Sequence, residues 1–189
     1  MKIVCLGDSN TYGYDPRSYL GDRYDRNSCW VDILSEKLNC KVVNAGENGR
    51  EVPRNSREFL AIEHMLNEEY PIDYLIIMLG TNDLLQGNPA TTVSLRMESF
   101  LRQLQLDLCN VILIAPPVLK LGEWVSSQGL IESSKDLNAA YKRLSESLGV
   151  HFVDTGNWDV PLAFDGVHLT KEGHRIFADG LLHHLRKGE

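Results

Sequence analysis

One serine, one histidine and a few acids and amides in this chain have the types and spacing for nucleophilic catalysis. Ser9 stands in Gly7-Asp8-Ser9-Asn10, directly after an apolar run at the start of the chain. His168 stands near the far end, in Asp165-Gly166-Val167-His168, with an acid three residues before it. A serine hydroxyl is a weak nucleophile until a base takes its proton. Imidazole titrates near neutral pH and is suited to that task. A carboxylate on the other ring nitrogen fixes the tautomer and stabilises the imidazolium, and Asp165 can supply it from the same turn. Acyl transfer also needs hydrogen-bond donors aimed at the tetrahedral oxyanion. Three candidates present themselves: the Ser9 N–H, the Gly46 N–H in Asn44-Ala45-Gly46-Glu47-Asn48-Gly49, and the Asn82 side chain in Gly80-Thr81-Asn82-Asp83. A glycine at position 46 lets backbone approach the reacting carbon with no Cβ in the way.

Taken singly, each stretch has a plainer meaning. Gly-Asp-Ser-Asn and Gly-Thr-Asn-Asp are good turns or helix caps, and Asp-Gly-Val-His would cap a final helix. The weight lies in their order along the chain, because the elements that must position them are legible. Short apolar runs at 2–6, 41–44, 74–79, 111–114 and 151–153 predict strands, most of them continuous enough to be buried on both faces. Between them run helical patterns. Val93, Met97, Phe100, Leu101, Leu104 and Leu108 share one face, as do Leu137, Ala140, Tyr141, Leu144 and Leu148 ahead of Gly149. A last helix is expected from an N-cap at Thr170 to about Leu185, and weaker patterns cover 30–38 and 53–67, the latter with Pro53 in its first turn. This alternation predicts one α/β domain over residues 1–189: a three-layer α/β/α sandwich around a five-stranded parallel sheet in the flavodoxin-like order 2-1-3-4-5. Ligands of such sheets bind beyond the carboxyl ends of the strands, near the switch in strand order. Every one of the candidate stretches follows a strand and falls on that edge. The longest irregular stretch, 11–29, is rich in Tyr, Asp and Arg and follows Ser9 closely.

Composition narrows the classes. The chain has 189 residues, 43% of them hydrophobic and 24% charged, with a formal net charge of -7 and no basic run, which argues against nucleic acid as a partner. Cys5, Cys29, Cys40 and Cys109 form no Cys-x-x-Cys pair and none lies at metal-ligand spacing from a histidine. No disulfide framework, metal or cofactor is called for. No stretch has the length of a membrane span and none reads as a signal peptide, so the expectation is a reduced, cytoplasmic protein. Oligomeric state is not legible.

These residues resemble the GDSL/SGNH hydrolase superfamily of esterases and lipases, over almost the whole chain. "GDSN" (7–10) is similar to the first family block, whose serine is the nucleophile, and so implies that role for Ser9. "VNAGENG" (43–49) and "GTNDL" (80–84) resemble the second and third blocks, which implies oxyanion donors at Gly46 and Asn82 beside the Ser9 amide. "DGVHL" (165–169) resembles the last and implies Asp165 and His168 as acid and base. "YLIIMLGTND" further resembles the short-chain aryl-esterase and acetyl-esterase branch. Asn10 departs from the family pattern, which has leucine there; the departure bears on contacts of the first helix or of the pocket floor. The resemblance implies hydrolysis of small, short-acyl esters through an acyl-enzyme. An acyltransferase, thioesterase or carbohydrate deacetylase would use the same site. A different class, a flavodoxin-like module cradling a phosphate in the loop after the first strand, would leave Asp165, His168 and Asn82 without purpose and set Asp8 against the phosphate.

Other residues read as supports. Asp8 and Asp83 are expected to brace their turns, and His64, His183 and His184 to lie on helix surfaces. Tyr12, Tyr14, Arg17 and Tyr19 either line the entrance or sit in a solvated loop. Trp124 and Trp158 either wall the site or anchor loops.

Overall fold

The computed structural model describes residues 1–18, 20–107 and 110–187. Tyr19, Leu108 and Cys109 therefore lie outside the described residues. Five strands, β1 (Lys2–Gly7), β2 (Lys41–Gly46), β3 (Tyr74–Met78), β4 (Val111–Ala115) and β5 (His151–Asp154), form one sheet in the order β2-β1-β3-β4-β5. All pairs are parallel, and Gly7 at the end of β1 is in register with Gly46 of β2 on one side and Met78 of β3 on the other. The three strands that precede the serine, glycine and asparagine blocks thus finish level with one another.

The strand sequences show why the sheet takes two helical layers. Alternate residues of β1, β3 and β4 point to opposite faces, and both sets are apolar. Val4, Leu6, Leu75, Ile77 and Leu113 pack against α3 (Ser56–Glu68), α5 (Ala90–Gln103) and α6 (Gln128–Leu148). Ile3, Cys5, Ile76, Met78, Ile112 and Ile114 pack against α2 (Trp30–Leu38) and α7 (Lys171–Lys187). The edge strands β2 and β5 carry the polar residues, from Lys41 and Asn44 to His151 and Asp154, and are only partly buried. Two short helices, α1 (Ser9–Tyr12) and α4 (Thr81–Leu85), start within a few residues of the ends of β1 and β3.

Two helix boundaries differ from the sequence expectation. The helix expected over 53–67 begins at Ser56, because the Asn55 side chain accepts the Arg57 and Glu58 N–H groups and caps it there, leaving Pro53 in the preceding loop. The helical pattern expected to run on through Leu104 to Leu108 ends at Gln103, where Leu104 turns to an extended conformation. The 11–29 stretch is less irregular than its composition suggests: it contributes the second half of α1, a bridge between Tyr14 and Arg23, and a 3₁₀ turn over Arg26–Ser28.

Candidate active site

The nucleophile candidate is presented by a tight strand-to-helix turn. Asp8 caps α1 by accepting the Asn10 N–H at 2.9 Å, which makes Ser9 the first helical residue. A Cβ on Gly7 would lie 2.0 Å from Thr11 Oγ1 and 2.9 Å from Met78 O, so only glycine permits the turn to close this tightly. Gly46 has the same constraint from the next strand. A Cβ there would lie 2.1 Å from the Tyr12 backbone nitrogen, so β2 lies flat against α1.

The last block comes to the same place from the other end of the chain. His168 Nε2 is 2.9 Å from Ser9 Oγ, and His168 Nδ1 is 2.7 Å from Asp165 Oδ2. Asp165 Oδ1 accepts the Val167 and His168 N–H groups at 2.9 and 3.0 Å, so the acid shapes the turn that carries the histidine. Burial works against ionisation of Asp165. The His168 ring N–H and the backbone donors outweigh it and hold its pKa below the ordinary carboxylate value. Asp8 has the opposite balance. Burial dominates over its backbone donor, His168 and Arg50, and pushes its pKa up to about 6. Two acids near one serine are thereby set apart: Asp165 ionised on the imidazole, Asp8 a turn brace.

Two of the candidate oxyanion donors, the Gly46 N–H and the Asn82 amide, have partners. The Gly46 N–H donates to Asn44 Oδ1 at 2.9 Å, while Asn44 Nδ2 donates to Thr11 O at 2.8 Å. Asn82 Nδ2 donates to Arg50 O at 3.0 Å. The Arg50 guanidinium in turn donates to Gly7 O and Ala45 O, tying the loop after β2 to the ends of β1 and β2. Asp83 is fully buried, accepts the Val52 N–H at 3.0 Å and pairs with Arg96 at 3.1 Å, so it does brace the Asn82 turn. Burial raises its pKa in spite of those contacts.

Two aromatic rings sit on the histidine. The Tyr14 ring is 4.7 Å from the His168 ring, and Trp124 meets it edge-on at 5.0 Å. Trp124 is 51% exposed, so one side of its indole faces solvent. Its backbone is held by the histidine turn itself: Lys120 N–H to Gly166 O, Glu123 N–H to Phe164 O and Trp124 N–H to Asp165 O, at 3.0 to 3.1 Å. Trp158 instead packs on Phe177 and over Gly180, as a loop anchor. Arg17 is exposed and paired with Asp15, and Tyr12 lies under Arg23. His64 and His183 are exposed on their helices. The sequence leaves the Tyr14 and Trp124 contacts undecided and does not suggest Asn44, Arg50 or Arg96 at all; no local pattern marks residues that act through long-range backbone contacts.

A serine, a histidine and a buried carboxylate in a hydrogen-bonded line at the carboxyl edge of a doubly wound parallel sheet define the class of arrangement used by serine hydrolases. The pattern of the GDSL-like lipase/acylhydrolase family matches residues 5–176, and the chain belongs to that family, as a carboxylic ester hydrolase. A candidate arylesterase from Agrobacterium tumefaciens str. C58 is 28% identical, with a TM-score of 0.84 over 98% of both chains. Two further structures share the fold: the aryl esterase of M. smegmatis (24% identity, 98% of both chains, TM-score 0.85) and Est24, a carbohydrate acetylesterase from Sinorhizobium meliloti (23% identity, 100% of this chain and 99% of that one, TM-score 0.84). No curated protein matches the sequence.

Proposed function

We propose that the protein hydrolyses small carboxylic esters through an acyl-enzyme on Ser9. The observation that carries this reading is the unbroken Ser9–His168–Asp165 line, at 2.9 and 2.7 Å. Ser9 Oγ attacks the ester carbonyl while His168 Nε2 takes its proton. Asp165 holds the ring by Nδ1 and stabilises the imidazolium. His168 then delivers the proton to the leaving alkoxide, and the acyl group stays on Ser9. Water, deprotonated by His168, attacks the acyl-enzyme and releases the acid. The Ser9 and Gly46 N–H groups and the Asn82 amide receive the oxyanion. At Gly46 the incoming oxyanion displaces Asn44 Oδ1, an exchange that favours the transition state because a charged acceptor binds an N–H more strongly than a neutral amide does.

The leaving group must lie beside His168, since that ring protonates it. Its neighbours there are Tyr14 and the half-exposed Trp124. A flat, weakly polar alcohol such as a phenol or a pyranose face suits them, and the names of the similar structures, aryl esterase and carbohydrate acetylesterase, point the same way. Acetyl and similarly short acyl groups are the substrates we assign. Cys5, Cys29 and Cys40 are free thiols, which suits a reducing, cytoplasmic setting. No helix among the described residues is long and apolar enough to cross a membrane.

A fluorophosphonate probe tests the reading directly. It should modify Ser9 and abolish turnover of p-nitrophenyl acetate, and Ser9→Ala or His168→Ala should each lower turnover at least ~10³-fold, since the members of such a triad act as a unit. Near-wild-type rates in both folded variants would refute the mechanism. A series of p-nitrophenyl esters peaking at eight carbons or more would refute the short-acyl assignment.

A further inference from the structure

Asn10 lies one residue beyond Ser9, is buried, and carries an amide where the family motif has leucine. Its side chain reaches the far end of the chain in two directed hydrogen bonds. Nδ2 donates to Val167 O at 3.1 Å, and Oδ1 accepts the Leu169 N–H at 2.8 Å. Those are the two backbone neighbours of His168. The Asn10 backbone is itself fixed, its N–H on Asp8 Oδ1 at 2.9 Å and its carbonyl accepting the Trp30 indole N–H at 3.0 Å.

We propose that Asn10 is a positioning residue for ester hydrolysis: its carboxamide fastens the backbone on either side of the base to the turn that presents the nucleophile. The inference rests on the esterase reading above. The other bonds of the 167–169 backbone show why the amide matters. The Val167 and His168 N–H groups go to Asp165, and His168 O accepts the Ala163 N–H. Those partners belong to the histidine turn and its approach, so they fix the shape of the turn. They do not fix where it stands relative to α1. The Asn10 bonds do, and through them the separation of His168 Nε2 from Ser9 Oγ. A leucine fills a similar volume and makes neither bond. An aspartate keeps an acceptor for the Leu169 N–H but turns a second oxygen on the Val167 carbonyl.

The test is Asn10→Leu and Asn10→Asp, with active sites counted by fluorophosphonate labelling of Ser9. Misplacement of a catalytic group by about 1 Å costs on the order of 10² in rate. We therefore expect kcat per labelled site on p-nitrophenyl acetate to fall ~10- to 100-fold in both variants. KM should hold within about threefold, because Asn10 touches no substrate. The labelling rate constant should fall in parallel with kcat. A merely structural role gives a different result: lower Tm and fewer labelled sites, with kcat per labelled site within twofold of wild type. That outcome overturns the proposal. So does failure of both variants to fold, which would make the clamp a folding contact. If the wild-type protein neither turns over nor labels at Ser9, the esterase reading falls first and this inference with it.

Discussion

At the residue scale the site is governed by what each side chain is prevented from doing. Asp165 and Asp8 flank the same serine and histidine, yet hydrogen bonds keep one ionised while burial pushes the other's pKa up to about 6. Trp124 is held by its backbone to the Asp165 turn while half of its indole stays in solvent. An exposed aromatic adds little to a core, so its value must lie in what it meets outside. Trp124→Ala should therefore leave Tm nearly unchanged. An aromatic contact contributes about 0.5–1.5 kcal/mol beyond its area, so kcat/KM for phenyl acetate should fall roughly 2- to 10-fold. Ethyl acetate, whose alcohol offers no ring, should be affected less. Steady-state kinetics on the two esters checks this; equal losses on both would remove Trp124 from the leaving-group side.

At the element scale, the placement of the histidine turn depends on a second strap. Segment 120–124 pairs with the turn through Gly166, whose φ is +79° and whose Cβ, were it present, would lie 2.0 Å from Lys120 O. Gly149, the C-cap of α6, has a similar φ of +69° and nothing within 4 Å of the same point. Both pay about 1–2 kcal/mol for a side chain in the left-handed region. Only Gly166→Ala adds a clash with backbone. It should cost at least about 2 kcal/mol more than Gly149→Ala, which for a chain of this length is a further fall of roughly 4–8 °C in Tm, and it alone should lower kcat. Thermal melts beside p-nitrophenyl acetate assays decide it; equal Tm losses would mean that the strap yields without strain. The same strap marks the limit of what was legible in the sequence. The five strands, their order, and the turns at Ser9, Gly46, Asn82 and His168 follow from apolar runs and local turn chemistry, which act over a few residues. The pairing of 120–124 with 164–166 and the reach of Asn10 to residues 167 and 169 are long-range contacts to backbone with no periodic signature. Asn10 showed only as a departure from a motif. Asn55 took the helix start from Pro53 because a side-chain cap on two N–H groups outweighs a proline that merely tolerates a first turn.

At the scale of the whole molecule, two buried groups pull its stability in opposite directions with pH. His174 is fully buried on α7, where its Nδ1 accepts the Trp30 N–H at 3.3 Å. Burial first, then the charges of Arg23 and His168, lower its pKa from 6.5 to about 3. Between those values the unfolded chain binds a proton that the folded chain refuses. Stability contributed by neutral His174 is therefore present above pH 6.5 and is lost as pH falls toward 3, by an amount of up to about 5 kcal/mol. Asp8 has the reverse sign. Its pKa rises from 3.8 to about 6 on folding, so the folded chain binds the extra proton and stability falls as pH rises through that window, by about 3 kcal/mol. The two windows overlap, and the wild-type melt shows only their difference. Single variants separate them. His174→Gln keeps an acceptor for the Trp30 N–H and removes the titration; relative to wild type it should gain stability steadily as pH drops from 6.5 to 4. Asp8→Asn keeps the cap on the Asn10 N–H and should gain relative to wild type as pH rises from 4 to 6.5. Urea melts of the three proteins at pH 4, 5, 6 and 7 measure both trends. If the stability differences from wild type stay flat across that range, the charges are not excluded by burial, and water must reach His174 or Asp8 in the folded protein.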